Sequence, residues 1–251
     1  MNMIQSQAST QYRQRYNFPQ NNAVIKPLNE LLSSLKPATK AQLYPSLQLV
    51  NFNSERTVYE PLSPLDFVYF PESTVATRLV VLEDGSTVEV GMMGRENVIG
   101  AEVLLGATHA RYWTVIEVAG QAYRMRSSLF KELAGRFPDL QTAVTRAYQD
   151  LFHNVSQRAV CRARHPLLAQ LSGWLLMLHD RSPSGTLALT QETIAGRLGV
   201  RRAGVTVAAN ELKRDGALHC TRGHIEIVNR TRLEAHACEC YEGQKASRFV
   251  N

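Results

Sequence analysis

Between Leu47 and Met125 apolar and polar residues alternate, and after Ser127 the period lengthens to that of a helix. The alternating runs are QLVNF, TVYEP, DFVYFP, ATRLVVLEDGSTVEVGMMG and WTVIEVAGQAYRM, each bounded by Pro, Gly, Asn or Asp. A period of two marks strands with one face buried, so the switch predicts an α+β chain whose β unit comes first. The run RLVVLEDGSTVEVG reads as a hairpin, with Asp84-Gly85 supplying turn residues that tolerate positive φ. Short strands at a spacing of roughly ten residues predict a sandwich, jelly roll or barrel, which leaves few open edges.

A length of 251 residues favours two domains, and 44% hydrophobic with 20% charged residues is a core-forming composition. It excludes collagen-like, disulfide-scaffold and wholly disordered chains. No apolar run approaches the ~18 to 20 residues of a membrane span, and the Asn/Gln/Ser-rich start lacks the apolar segment of a secretory signal, so a cytoplasmic protein without a membrane partner is expected. Residues 1–24 read as a mobile polar tail. Of the net charge of +6, residues 1–160 carry 15 Lys+Arg against 14 Asp+Glu, or +1, and residues 161–251 carry 13 against 8, or +5. A basic excess confined to the last third points to a polyanion partner, and a merely solvated basic surface is the plain alternative.

Short helices are predicted over Ile25–Leu35 and Thr39–Leu43, and another over SSLFKELAGRF with a serine cap. Leu140, Val144, Ala147, Leu151 and Val155 then recur at steps of four, three, four and four on a helix spanning 137–164, interrupted by His165-Pro166. We read this stripe as a dimer seam, although a stripe facing the chain's own core has the same spacing. Leu167–His179 is a further helix, closed by the loop residues RSPSG. These boundaries divide the chain into a β domain over 25–136, the linking helix over 137–164, a DNA-binding unit over 165–242 and a tail over 243–251.

The chemistry sits in LALTQETIAGRLGVRRAGVTVAANELKRDGAL. Thr190 is a helix cap, Gln191–Leu198 a short helix, Gly199 its stop, and Arg202–Asp215 a second helix ended by Gly216. Ala195, Gly199, Val205 and Ala208 stand at the fifth, ninth, fifteenth and eighteenth positions from Gln191, the spacing with which a helix-turn-helix fixes its second helix. ALHCTRGHIEIVNR follows as a two-stranded wing with an Arg222-Gly223 turn, which would bring Arg222 and His224 to phosphates. Thr231 and Glu234 form a capping box opening a last helix, RLEAHACECY. On one helix, Cys238 and Cys240 would point about 200° apart, so no metal site is expected from that pair. The four cysteines, Cys161, Cys220, Cys238 and Cys240, are too few and too clustered for a disulfide framework.

The chain over roughly 45–240 resembles the Crp/Fnr family of bacterial transcription regulators, through YFPESTVATRLVVLEDGSTVEVGMMGRENVIG, the long helix and LTQETIAGRLGVRRAGVTVAANELKRDG. It is most similar to the branch ending in Ala-Cys-Glu-Cys-Tyr, here Ala237 to Tyr241. The resemblance implies a double-stranded β-helix (jelly-roll) sensor domain of the cyclic-nucleotide-binding type, dimerisation through the linking helix and a C-terminal winged helix-turn-helix. Where family members present Arg-Glu and a later Arg, this chain has Arg202, Ala203 and Val207, so only the first Arg survives. Arg202, Thr206 and Ala203 are the expected base-reading positions. Thr190, Gln191, Arg201 and Gly204 match positions at which the family approaches phosphates. The family's cyclic-nucleotide pocket maps to Gly100 and Glu102, but Arg111-Tyr112 replaces Arg-Ser or Arg-Thr. The expected cofactor is therefore none or an unknown small ligand, not a cyclic nucleotide. An Fe–S cluster of the Fnr kind is not expected, since no cysteine precedes Cys161.

G-x-x-x-x-G-K-[ST], H-E-x-x-H, G-x-S-x-G and G-x-G-x-x-G are all absent, so no enzyme is expected. The leading reading is a homodimeric regulator that binds double-stranded DNA at a two-fold-related operator, with RNA polymerase as a further candidate partner. The alternative is a small-ligand-binding β-domain protein whose winged helix mediates protein interaction. Thiol-based sensing through Cys161, Cys220 or the final cysteine pair is a third reading.

Overall fold

The structure is a computed structural model that describes residues 26–182 and 186–246. The expected polar tail 1–24 and most of the RSPSG loop lie outside the described residues. Asn29 caps α1 (Glu30–Ser34) by accepting from the Leu32 N–H, and Pro37 opens α2 (Pro37–Leu43). Seven strands follow: β1 (Gln48–Phe52), β2 (Thr57–Tyr59), β3 (Phe67–Pro71), β4 (Val75–Val81), β5 (Thr87–Met93), β6 (Trp113–Val118) and β7 (Gly120–Arg126). They pair antiparallel in two sheets, one ordered β1-β7-β3 and the other β2-β6-β4-β5. Val68, Phe70, Ala76, Met93, Ile116 and Met125 are buried between the sheets and the helices packed on them. The β4–β5 hairpin turns at Asp84-Gly85, where Gly85 has φ 80° and Asp84 Oδ1 accepts from the Ser86 N–H.

The helical half begins with α3 (Ser127–Arg136). Ser127 is its first residue and not its cap; Arg126 holds that position without a side-chain bond. The long helix α4 (Pro138–Arg164) opens on a first-turn proline. It ends at His165 (φ −108°, ψ 150°), because Pro166 disfavours the helical region for the residue before it. Leu140, Val144 and Leu151 are buried in the β-domain core, with Ala147 and Val155 packed against it. The stripe read from the sequence as a dimer seam thus faces the chain's own sheets. The large apolar residues left outward are Phe152, 73% exposed, and Val160, 52% exposed.

Beyond Pro166 run α5 (Leu167–Arg181), β8 (Thr186–Leu187), α6 (Gln191–Leu198), α7 (Arg202–Arg214), β9 (Leu218–Thr221), β10 (His224–Ile227), α8 (Arg230–His236) and α9 (Glu239–Ala246). β8 adds a third strand to the wing sheet, in the order β8-β10-β9, which the sequence analysis did not anticipate. The last helix also differs from expectation. Its cap is Asn229, accepting from the Arg232 N–H, and no Thr231 capping box opens it. The chain then breaks at Ala237 (φ −76°, ψ 154°), so Cys238 lies between α8 and α9 while Cys240 is in the first turn of α9. Cys238 and Cys240 therefore do not share one helix, and the expected separation of about 200° does not apply to them. α9 itself continues past residue 242, where a tail was expected.

The helical half is docked on the four-stranded sheet. Val75 and Met92 belong to the same core cluster as Trp174, Leu175, Ile194 and Val205. Acidic side chains of the β domain also meet cations and donors of the helices: Glu117 Oε2 accepts from Arg197 Nε at 2.6 Å, Glu96 Oε1 from Arg181 Nε at 2.6 Å and Glu89 Oε2 from Trp174 Nε1 at 2.9 Å. Arg158 of α4 pairs with the other oxygen of Glu89. Burial holds the Glu117 carboxyl above the usual carboxylate range even with the Arg197 guanidinium against it.

Candidate nucleic-acid interface

The α6–α7 corner is built by local chemistry. Thr190 Oγ1 accepts from the Thr193 N–H at 3.0 Å and starts α6. Gly199 ends it in the left-handed region (φ 68°), and its N–H bonds back to the Gly196 carbonyl. A Cβ at Gly199 would also stand 3.2 Å from Val88 Cγ2 of β5, so both the backbone and the neighbour demand glycine. Ala195, Val205 and Ala208 are buried at 3%, 0% and 5% exposure, which fixes α7 across α6.

With that face inward, Arg202, Ala203, Val207 and Asn210 are exposed along the opposite edge of α7. Arg202 touches the exposed Glu192, Nε to Oε2 at 3.9 Å, a contact too long and too wet to hold it. Thr206 is half-buried; its hydroxyl donates to Gln191 Oε1 at 2.7 Å. Val207 and Asn210 were not assigned from sequence. Their signal was the i, i+4 relation to Ala203 and Thr206, which puts them on the same edge. An apolar side chain at Val207 suits a thymine methyl, and an Asn at 210 suits adenine.

Around this edge, Arg201, Arg222 and His224 are exposed, as is Thr190, and Gln191 is half-buried. No side chain caps α7 at Arg201, which leaves the start of the helix open to an anion, although the Gly204 N–H already donates to the Arg201 carbonyl. Gly204 lies against α5, where a Cβ would meet the end of the Leu167 side chain, Cδ2, at 2.9 Å, so its small size also serves the packing of α7.

In the β domain, the expected ligand-pocket residues make contacts of their own within the protein. Gly100 takes φ 83°, and a Cβ there would lie 2.9 Å from the Phe67 carbonyl oxygen. Both oxygens of Glu102 accept from Arg78 Nη2 at 2.8 Å, and the Arg78 guanidinium lies 5.9 Å from the Tyr112 ring centroid. Arg111 is exposed beside it. Arg78, which the sequence analysis did not single out, thus occupies the acidic partner at which a ribose would be sought. Among the described residues no helix is long and apolar enough to cross a membrane.

Residues 169–236 match the family model of the Crp-like helix-turn-helix domain. No curated protein sequence matches the chain. Among solved structures, FixK2 from Bradyrhizobium japonicum is similar with a TM-score of 0.65 at 17% identity, covering 76% of this chain and 98% of its own. The Crp-family transcriptional regulator TTHB099 from Thermus thermophilus gives 0.64 at 18% identity, covering 75% and 96%. The c-di-GMP-responsive global regulator CLP of Xanthomonas campestris gives 0.59 at 15%, covering 77% and 100%. At such identities the likeness is one of fold, and it extends over both halves of the molecule. The chain carries a Crp-like helix-turn-helix domain on the fold of the Crp/Fnr regulators.

Proposed function

We propose that the protein is a homodimeric, sequence-specific DNA-binding transcription regulator. The observation that carries this reading is the exposed edge of α7, led by Arg202 and held outward by the Gly199 corner. Arg202 donates to a guanine edge in the major groove, with Ala203, Val207 and Asn210 along the groove floor. Arg201, Arg222, His224 and Thr190 flank the edge and take phosphates, which position the helix without reading sequence. A second copy places the same edge one helical turn away, about 34 Å, and so selects a two-fold-related operator.

The regulatory signal is distinct from a cyclic nucleotide in this reading, because Glu102 is already engaged by Arg78 and the bulky Tyr112 ring stands beside it. A different small ligand or none acts on the β domain. The protein is not an enzyme, and contact with RNA polymerase belongs to the same proposal.

Mobility shifts against genomic fragments, with the protein's own promoter among them, test the reading. A specific shift should survive competitor DNA and fall with salt by ~0.9 log units of affinity per log unit of salt for each phosphate contact. Arg202→Ala should cost ~1 to 3 kcal/mol at a single operator position and relax preference there. Weak DNA affinity that the substitution leaves unchanged would instead assign the winged helix to protein interaction.

A further inference from the structure

We propose that Cys161, His165, Cys238 and Cys240 form a closed four-coordinate Zn²⁺ site that fastens the C-terminal segment to the end of the linking helix. The four residues come from two stretches far apart in sequence. Cys161 is in the last turn of α4, and His165 is the residue at which that helix ends, four positions on. Cys238 and Cys240 flank the start of α9, where the break at Ala237 turns both toward that pair. Each residue offers one ligand atom, and the four atoms all lie within 4.8 Å of one another.

Two of the separations match the edges of a tetrahedron around one ion, and the rest are short enough to close onto one. Zn–S bonds of about 2.3 Å and Zn–N bonds of about 2.0 to 2.1 Å give edges of about 3.8 Å between sulfurs and about 3.5 Å between sulfur and nitrogen. Cys161 Sγ and Cys238 Sγ are 3.5 Å apart, and Cys240 Sγ and His165 Nδ1 are 3.6 Å apart. A void of about 20 Å³ borders all three cysteines. Three thiolates and an imidazole are a borderline-soft set that suits Zn²⁺, and four protein ligands leave no open position for catalysis.

The histidine is also oriented as a ligand. Its Nε2 lies 3.3 Å from Glu239 Oε1, so the carboxylate keeps the proton on Nε2 and leaves the Nδ1 lone pair toward the sulfurs. Tyr241 holds the segment in place, its hydroxyl donating to Asp180 Oδ2 at 2.9 Å and accepting from Arg230 Nη2 at 2.6 Å. The three thiols stand against one another and against the imidazole. Zn²⁺ displaces those thiol protons, giving Zn(Cys)₃(His) a net charge of −1 beside Arg162, whose buried Nε has no acceptor among the described residues.

The ligands bracket the winged helix-turn-helix, since the chain between His165 and Cys238 is that unit. The ion thus staples both of its ends at the His165-Pro166 joint and fixes its attitude to the linking helix. The site stands whether or not α7 reads DNA, and metal content is measured without DNA.

The test uses the full chain purified under reducing conditions. Elemental mass spectrometry should find about one zinc per chain, and the metal-free protein should take up one Co²⁺ with the thiolate charge-transfer and tetrahedral d–d bands of such a site. Glu239→Gln should leave the stoichiometry at one and weaken affinity about 10- to 100-fold, a change that a merely structural surface glutamate would not produce. Cys240→Ser should lose the tight site, and if that variant fails to fold, the Co²⁺ titration of the unsubstituted chain still decides. The proposal is overturned if the reduced chain neither retains zinc nor binds Co²⁺ tetrahedrally, if it carries acid-labile sulfide, or if a Cys161–Cys238 disulfide is its stable state under those conditions.

Discussion

Glu117→Ala should destabilise the protein by about 3 to 5 kcal/mol, because it removes the carboxylate that neutralises a buried guanidinium. The Glu117 side chain is 2% exposed and that of Arg197 11%, so neither partner has water to fall back on. Thr77 loses its acceptor as well, since its hydroxyl donates to Glu117 Oε2 at 3.1 Å. Truncating one member of such a pair leaves the desolvation of the other uncompensated, which is far larger than the Coulombic worth of an exposed pair. Urea denaturation read by Trp fluorescence measures the loss, and Glu117→Gln, which keeps an acceptor for Arg197 and Thr77, should lose less. A change below about 1 kcal/mol, the size of a solvated pair, would mean that Arg197 meets water in solution and that α6 is not docked on the sheet. The substitution therefore reads the docking itself. Glu89, Glu96 and Glu117 all come from the β domain and their Arg and Trp partners from the α4, α5 and α6 helices, so these contacts hold the two halves together.

How much of this was legible in the sequence depends on the range of the interaction. The Thr190 cap, the Gly199 corner and the Asp84-Gly85 turn are decided within a few residues, and each stands where the residue types place it. Arg197 and Glu117 are 80 positions apart, and Arg78 and Glu102 are 24 apart, so neither pair leaves a periodic trace. The Cys/His cluster was missed for the same reason, with Cys161 and Cys238 separated by 77 positions. No Gly or Pro marks the break at Ala237, and the run RLEAHACECY reads as one helix only until tertiary contacts, Tyr241 on Asp180 and Arg230, decide otherwise. The α4 stripe differs: its period is legible, but its partner is not, because a helix facing its own core and one facing a twin have the same spacing.

That last ambiguity yields the second large effect. Phe152→Glu should convert the proposed dimer to a monomer and reduce operator affinity by a factor on the order of 10² to 10⁴, the avidity lost when two half-sites are no longer bound by one molecule. Thr145, Gln149, Phe152, Ser156 and Ala159 recur along the outward face of α4 and carry no charge, and all five are exposed. Beside Phe152 lies a groove of about 320 Å³ lined by Leu104, Leu105 and Tyr148, with Leu105 70% exposed. An apolar knob on α4 beside an apolar groove between α4 and the Ala101–Leu105 turn suits a two-fold contact, in which each Phe152 enters the partner's groove. A glutamate there sets like charges against each other near the axis and leaves the intramolecular core untouched. Leu151, one position away, supplies the contrast: it is 6% exposed and faces the sheets. Leu151→Ala should lower stability by about 2 to 5 kcal/mol without dissociating the dimer. Sedimentation velocity and denaturation on the two variants separate the faces. If Leu151→Ala gave monomers while Phe152→Glu stayed dimeric, the inward stripe would be the seam after all and α4 would have to leave the β domain to form it.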